Sequence, residues 1–373
     1  MRMEHRPADM DLARRLATRT LELVDLPSES GDELAILGWI ERAVPNDTFE
    51  SVDRGDAVRV FLPRSSTEGR ASVFLAGHVD TVPVAGNLPG RQEDGVIIGR
   101  GATDMKGALA VMLEIAEWIE ADPGATDLAV GLVFFGREEL PYSQSALAPL
   151  FERSPRSRDV QLAIVLEPTA NAIEMGCLGN LNAKVTIRGR AAHSARPWLG
   201  DNAIHAALDV LMPVAHRPSA EVDIDGLIYV EVVSVTRIDG GVASNVVPDR
   251  VAATVNLRYA PTRTPEEAEN SLRELIADDR AEITVVGNAP PGRVNVGNPL
   301  VTRLREAGDL VVRPKQAWTS VAEFAIVGVD AVNFGPGDPE YAHRDDERVE
   351  VAALVRSYEV LREFLRTPTA REE

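Results

Sequence analysis

The sequence predicts an α/β protein: a mostly parallel sheet covered by helices, interrupted by a smaller inserted α+β module. Three observations carry this. In the first third of the chain, short continuous apolar runs alternate with helix-spaced stretches, the pattern of a sheet buried on both faces. Near residue 179 the pattern changes to strict apolar/polar alternation, which marks half-exposed strands. After Pro290 the buried character returns. The expected layout is a discontinuous domain over 1–178 and 291–373, with the insert at 179–290.

Element by element, Leu12, Leu16, Leu21 and Val24 outline an amphipathic helix. Ser30 followed by Glu33 reads as a capping box, with Leu34, Leu37 and Ile40 as the stripe behind it. Residues 71–76 form a buried strand ending in Gly77-His78-Val79-Asp80, and 105–119 have helical spacing. Residues 128–135 are a second buried strand, ending before Gly136-Arg137-Glu138-Glu139; 161–166 are a third, ending at Glu167-Pro168. In the insert, 181–188 and 250–259 alternate, with Val251, Val255, Leu257 and Tyr259 on one face and Asn256 and Arg258 on the other. Helical stretches at 202–211 and 265–276 and a last strand near 281–286 complete a strand, helix, two strands, helix, strand order, which is ferredoxin-like. Residues 331–334 return the chain to the buried sheet.

Composition limits the function. At 373 residues the chain exceeds one domain of about 100–200 residues, so two domains are expected. A hydrophobic content of 45% supplies a sizeable core and excludes disorder as the main state. One Cys excludes an intramolecular disulfide framework and a Cys-rich zinc site. The net charge of −19, from 39 basic and 58 acidic residues, argues against nucleic acid or an anionic membrane as partner. No signal segment and no apolar run near the ~20 residues of a membrane span is visible. The expectation is a soluble protein of a reducing, cytoplasmic compartment.

The polar residues gather where an open α/β sheet binds ligands, beyond the carboxyl ends of its strands. His78 and Asp80, Asp104, Glu138 and Glu139, and Glu167 occupy such ends, and His343 follows the loop Phe334-Gly335-Pro336-Gly337-Asp338-Pro339. His and carboxylate without Cys suit a hydrolytic zinc or manganese site. Gly99, Gly101 and Gly107 lack the spacing of a phosphate loop. Cys177 reads as a small buried residue, and His5, His205 and His216 receive no role.

Gly77-His78-Val79-Asp80-Thr81-Val82-Pro83, Gly99-Arg100-Gly101-Ala102-Thr103-Asp104-Met105-Lys106-Gly107, Glu138-Glu139, Leu166-Glu167-Pro168-Thr169 and Ala342-His343 with Asp346-Glu347 together resemble the co-catalytic dizinc amidohydrolases and metallopeptidases. That group includes succinyl-diaminopimelate desuccinylase, acetylornithine deacetylase, aminoacylase and the glutamate-releasing carboxypeptidases. The resemblance runs through the whole chain, including Ala192-His193-Ser194-Ala195-Arg196 and Asn245-Val246-Val247-Pro248 in the insert, and is closest to the actinobacterial desuccinylase branch. It implies a zinc-peptidase-like catalytic domain with an inserted lid and dimerisation domain. It implies that His78, Asp104 and Glu167 hold one divalent metal and Asp104, Glu139 and His343 a second, zinc being expected and cobalt or manganese possible, ~3.5–4 Å apart. Glu138 is implied as the general base, Asp80 as the partner of His78, and His193 as a stabiliser of the oxyanion, reaching a neighbouring subunit's site. Arg258, Asn245 and Thr319 are implied as substrate contacts.

The expected reaction is hydrolysis of an N-acyl amino acid, N-succinyl-diaminopimelate above all, by a homodimer. A sibling deacylase or dipeptidase with a changed pocket is the alternative, followed by a metal-free binding protein on the same fold. Glu323 stands where the family usually has an Arg, which would disfavour an acidic substrate group if that side chain faces the pocket.

Overall fold

A computed structural model describes residues 7–367. They divide into two compact units: the first runs up to Gly176 and includes Asn295–Arg313 and the residues from Thr319 onward, and the second comprises Cys177–Val294 and Pro314–Trp318.

The first unit is built on an eight-stranded sheet in the order Phe49–Asp53, Val58–Pro63, Ala129–Phe135, Ser72–His78, Leu162–Val165, Ala331–Asn333, Ile173–Met175 and Val312–Pro314. The four strands at its centre run parallel: Ser72–His78 pairs with both Ala129–Phe135 and Leu162–Val165, and the latter pairs with Ala331–Asn333. The strands Val58–Pro63 and Ile173–Met175 flank them antiparallel. Every residue of Ala129–Phe135 and Leu162–Val165 is buried, as a strand covered on both faces requires. The helices Pro7–Val24, Gly107–Ala121 and Val351–Leu365 pack on one another, and Gly107–Ala121 also meets the strand Ser72–His78. A small antiparallel sheet of Arg91–Glu93, Val96–Ile98 and Arg348–Glu350 follows the turn that carries Glu347.

The second unit is a five-stranded antiparallel sheet in the order Ala220–Ile224, Leu227–Gly240, Arg250–Tyr259, Gly179–Arg188, Ala281–Ala289. Its last four strands have the split βαβ order of a ferredoxin-like module. One face packs Leu181, Ala183, Val185, Ile187, Val251, Ala253, Val255, Leu257 and Tyr259 against the helices Ala203–Ala215 and Pro265–Leu275. Those helices start on firm caps: the Asn202 side chain accepts from the amides of Ile204 and His205, and Thr264 with Glu267 forms a capping box.

Three details differ from the sequence reading. Ser30 and Glu33 do not form a capping box: the helix Leu34–Ala43 has no side-chain cap, because the Ser30 hydroxyl donates to Asp80 Oδ2 at 2.7 Å and Glu33 accepts the Gly31 amide. Leu34 is largely exposed, and Ile36 joins Leu37 and Ile40 in the core instead. The insert also has a further edge strand that the sequence reading left out, Ala220–Ile224, whose alternating Val222 and Ile224 pack against Leu178, Tyr229 and Ala260.

Candidate metal centre

The site forms at the carboxyl ends of the central parallel strands and the loops beyond them. His78 is the last residue of Ser72–His78, and Glu138 and Glu139 follow Ala129–Phe135 after a two-residue turn. Glu167 follows Leu162–Val165 by one residue. Asp104 and Met105 leave helical geometry between Gly101 and the helix that starts at Gly107, with φ/ψ of −126°/89° and −135°/35°, and the Asp104–Met105 peptide is cis. His343 adopts a φ of +65°, a conformation that structured sites retain only where the surroundings enforce it.

These side chains converge. One oxygen of Asp104 lies 2.9 Å from His78 Nε2 and the other 3.5 Å from His343 Nε2, and His343 Nε2 is 2.9 Å from Glu139 Oε1. Ligand atoms of His78, Asp104 and Glu167 lie within 4.8 Å of one another, as do those of Asp104, Glu139 and His343; His78, Glu138 and Glu139 form a third such group. Two trios sharing Asp104 are therefore in place, with Glu138 beside them. His78 Nδ1 donates to the Asp80 carbonyl oxygen at 3.0 Å, which leaves Nε2 as the lone-pair atom facing the trio. The Asp80 carboxylate, 3.6 Å from His78 Nδ1, also ties down the neighbouring loop, since its two oxygens accept the Glu138 and Glu139 amides, each at 3.2 Å.

The electrostatics demand cations. Burial pulls the His78 imidazole down, but hydrogen bonds to Asp104 and Asp80 and the nearby carboxylates outweigh it and raise the group well above the usual range. His343 is pushed up to about 10 by its hydrogen bonds to Asp104 and Glu139. Burial opposes ionisation of Asp104, yet the two imidazoles hold its carboxyl below the usual value. Glu138 goes the other way: burial, then the Glu167 charge, push it well above the carboxylate range. A cluster of imidazole and carboxylate donors without sulfur, arranged as two overlapping trios, fits two divalent ions of the zinc or manganese type.

Close backbone approach builds the site. A Cβ on Gly335 would come within 2.3 Å of the Leu166 carbonyl oxygen and 2.5 Å of that of Glu167; one on Gly337 would come within 2.5 Å of the Thr103 carbonyl oxygen. The Gly/Pro loop can lie against the segments carrying Glu167 and Asp104 because it has no side chain there. Ser30 and Glu347 also shape the site, holding Asp80 and the Thr103–Asp104 backbone; in the sequence Ser30 was legible only as a cap, and Glu347 only as part of the motif after His343, without a role.

Other expected residues lie elsewhere. In the second unit, His193 and Asn245 come together: His193 pairs with Val246 in a short ladder, and the Ser194 amide donates to the Asn245 carbonyl. His193 Nδ1 accepts from the Ala195 amide at 3.1 Å. Arg258, partly buried, donates through Nε to Asn256 Oδ1 at 3.2 Å. Thr319 is 2% exposed and its hydroxyl donates to Asn333 Oδ1 at 2.8 Å. Glu323 faces no open pocket, being 2% exposed and accepting the Ser145 hydroxyl. Cys177 is buried and its sulfur accepts the Gly292 amide. His205 is an exposed helix residue, His216 bonds the Met212 carbonyl, and His5 lies outside the described residues.

Residues 74–367 match the model of peptidase family M20/M25/M40. A Mycobacterium tuberculosis protein, DapE, is 41% identical over 93% of this chain and 96% of its own length. The succinyl-diaminopimelate desuccinylase of Corynebacterium glutamicum is 38% identical over 98% of this chain and 100% of its own. Among solved structures, a Bacillus subtilis dinuclear metal-binding peptidase of family M20 superposes with a TM-score of 0.69 at 16% identity, covering 95% of this chain and 98% of that one.

Glu323 gives a pH signature. Burial pushes its carboxyl up to about 7 from 4.5, against the opposing Ser145 hydrogen bond. Between those values the native chain keeps a proton that the unfolded chain has released, so this group's stabilising share is present at low pH and lost as pH rises through about 7. Glu323→Gln should therefore gain stability relative to the parent as pH rises across that window, by on the order of 3 kcal/mol at its upper end. Denaturant midpoints at several pH values check this; a difference that does not change with pH would contradict it.

Proposed function

Because the chain belongs to peptidase family M20/M25/M40 and is a hydrolase, we propose that it removes the succinyl group from N-succinyl-diaminopimelate by hydrolysing the linear amide. The observation that carries the reaction is the pair of trios, His78–Asp104–Glu167 and Asp104–Glu139–His343, sharing one carboxylate beside the buried Glu138. The substrate rests on the desuccinylase relative that matches over essentially its whole length. Glu323, which would disfavour an acidic substrate group if it faced the pocket, is instead buried and accepts the Ser145 hydroxyl.

In this reading His78, Asp104, Glu139, Glu167 and His343 hold two divalent ions, most simply zinc. Bound there, the ions would polarise the amide carbonyl and acidify water. Glu138 takes a proton from the attacking water and delivers it to the leaving amine, a role for which a raised carboxyl pKa is suited. Asp80 sets the His78 tautomer through its carbonyl and holds the Glu138-Glu139 backbone through its carboxylate. His193 accepts the Ala195 amide at Nδ1, so its neutral ring carries the proton at Nε2 and can donate to a developing oxyanion. Arg258 supplies a cation for a substrate carboxylate, and Asn245, next to His193, a polar contact.

The protein is further proposed to act as a homodimer through its second unit, which we read as the 179–290 lid. On the helix Ala203–Ala215, Ile204, Leu208 and Met212 form an exposed apolar row at four-residue spacing. Next to that helix, the strand Leu227–Gly240 pairs with Ala220–Ile224 only as far as Glu231, so among the described residues its outer edge is open from Val232 on and carries the exposed Ile238. A large acid excess and a single Cys fit a reducing cytoplasm. Among the described residues no helix is long and apolar enough to cross a membrane.

A hydrolysis panel of N-succinyl-diaminopimelate, N-acetylornithine, other acyl amino acids and dipeptides tests the substrate; preference for an acyl group without a carboxylate would refute the desuccinylase assignment. Glu138→Gln should lower kcat about 10²–10⁴-fold while metal content stays near that of the parent. Sedimentation should show a dimer that Leu208→Arg shifts toward monomer; a monomeric parent would refute the assembly.

A further inference from the structure

Around the site one polar contact is left without a part in the chemistry above. Arg100 and Glu347 form an ion pair with side chains only 3% and 1% exposed, Arg100 Nη1 donating to Glu347 Oε2 at 2.8 Å. The other oxygen of Glu347 accepts two backbone amides, from Thr103 at 3.2 Å and from Asp104 at 3.1 Å. Those amides belong to the segment where the chain leaves helical geometry, so no helical carbonyl is in place for them. Arg100 Nη1 also donates to the Arg344 carbonyl at 3.3 Å, the residue after His343, and the Glu347 carbonyl accepts the Gly99 amide at 2.9 Å.

Glu347 thus grips the backbone of Asp104 directly and, through Arg100, the loop that carries His343. Both segments lie outside the main sheet. His78, by contrast, closes a strand whose partner residue Phe135 is in register with it, and Glu167 directly follows Leu166, whose amide bonds the Ala76 carbonyl. Their positions follow from strand pairing, whereas the Asp104 turn and the His343 loop need another tie. Burying two charges is costly in itself, so such a pair is better understood by what it holds than as a stabiliser.

Resting on the two-ion reading above, we propose that Glu347, anchored by Arg100, is a positioning residue for the ion held by Asp104, Glu139 and His343. It fixes the distance between the shared carboxylate and the His343 imidazole; the other ion shares Asp104 but takes its remaining donors, His78 and Glu167, from strand ends that Glu347 does not touch, so it depends on Glu347 less.

Metal-stripped full chain, titrated with Zn²⁺ in a calorimeter, tests this. The parent should take up two ions. Glu347→Ala should weaken one of the two binding steps at least about tenfold while the other stays within about threefold. Glu347→Gln, which retains an oxygen for the two amides but not the charge for Arg100, should fall between. The proposal is overturned if Glu347→Ala keeps both affinities. It is also overturned if both steps weaken equally, whether or not the Tm of the metal-free protein falls with them. If Glu347→Ala does not fold, Glu347→Gln decides alone: one weakened step supports the proposal and a parent-like isotherm overturns it. A parent that binds fewer than two ions would instead remove the two-ion reading, and the proposal with it.

Discussion

A single carboxylate facing two imidazoles organises this protein. Asp104 turns one oxygen to His78 and the other to His343, residues that lie far apart in the chain and come from a strand end and a loop. Such an arrangement concentrates negative charge where the parallel strands end, and the raised imidazoles of His78 and His343 are its electrostatic consequence. The surrounding architecture keeps Asp104 in that place. The helix breaks at Asp104, Gly337 allows a loop to press on Thr103, and the strand Ser72–His78 delivers its imidazole in register with its neighbours.

Asp80 is the second organising group, and its geometry shows how one short acid can serve several partners. Its carbonyl sets the His78 proton, and its carboxylate collects the amides of Glu138 and Glu139 and the hydroxyl of Ser30. Glu138 and Glu139 thus share one backbone anchor. That anchor is nearly rigid, because Asp80 is fully buried and its hydrogen bonds are made to main chain on one side and to the first loop on the other.

Much of this was legible in the sequence. The central strands were clear because burial on both faces leaves uninterrupted apolar runs, and the strand-end rule then pointed to His78, Glu138, Glu139 and Glu167. What escaped depended on partners remote in sequence. Ser30 reads locally as a cap, but the Asp80 carboxylate 50 positions away takes its hydroxyl. Ala220–Ile224 alternates apolar and acidic residues over only five positions, too short a run to stand out, and the return of Pro314–Trp318 to the second unit rests on contacts such as Trp318 to the Pro290 carbonyl. Glu347 binds main-chain amides more than 240 residues away, and backbone partners leave no compositional trace.

The order of the ligands along the chain has a consequence for biosynthesis. His78, Asp104, Glu139 and Glu167 are all made before the second unit begins at Cys177, but His343 emerges only after that unit's last segment, Pro314–Trp318. The donors of the His78–Asp104–Glu167 trio are therefore all synthesised before the second unit, whereas the other trio waits for His343, and the Glu347 that grips the Asp104 amide follows later still. A chain halted inside the second unit carries the three donors of one trio but lacks the donor that completes the other, so both trios can be complete only once His343 has been made.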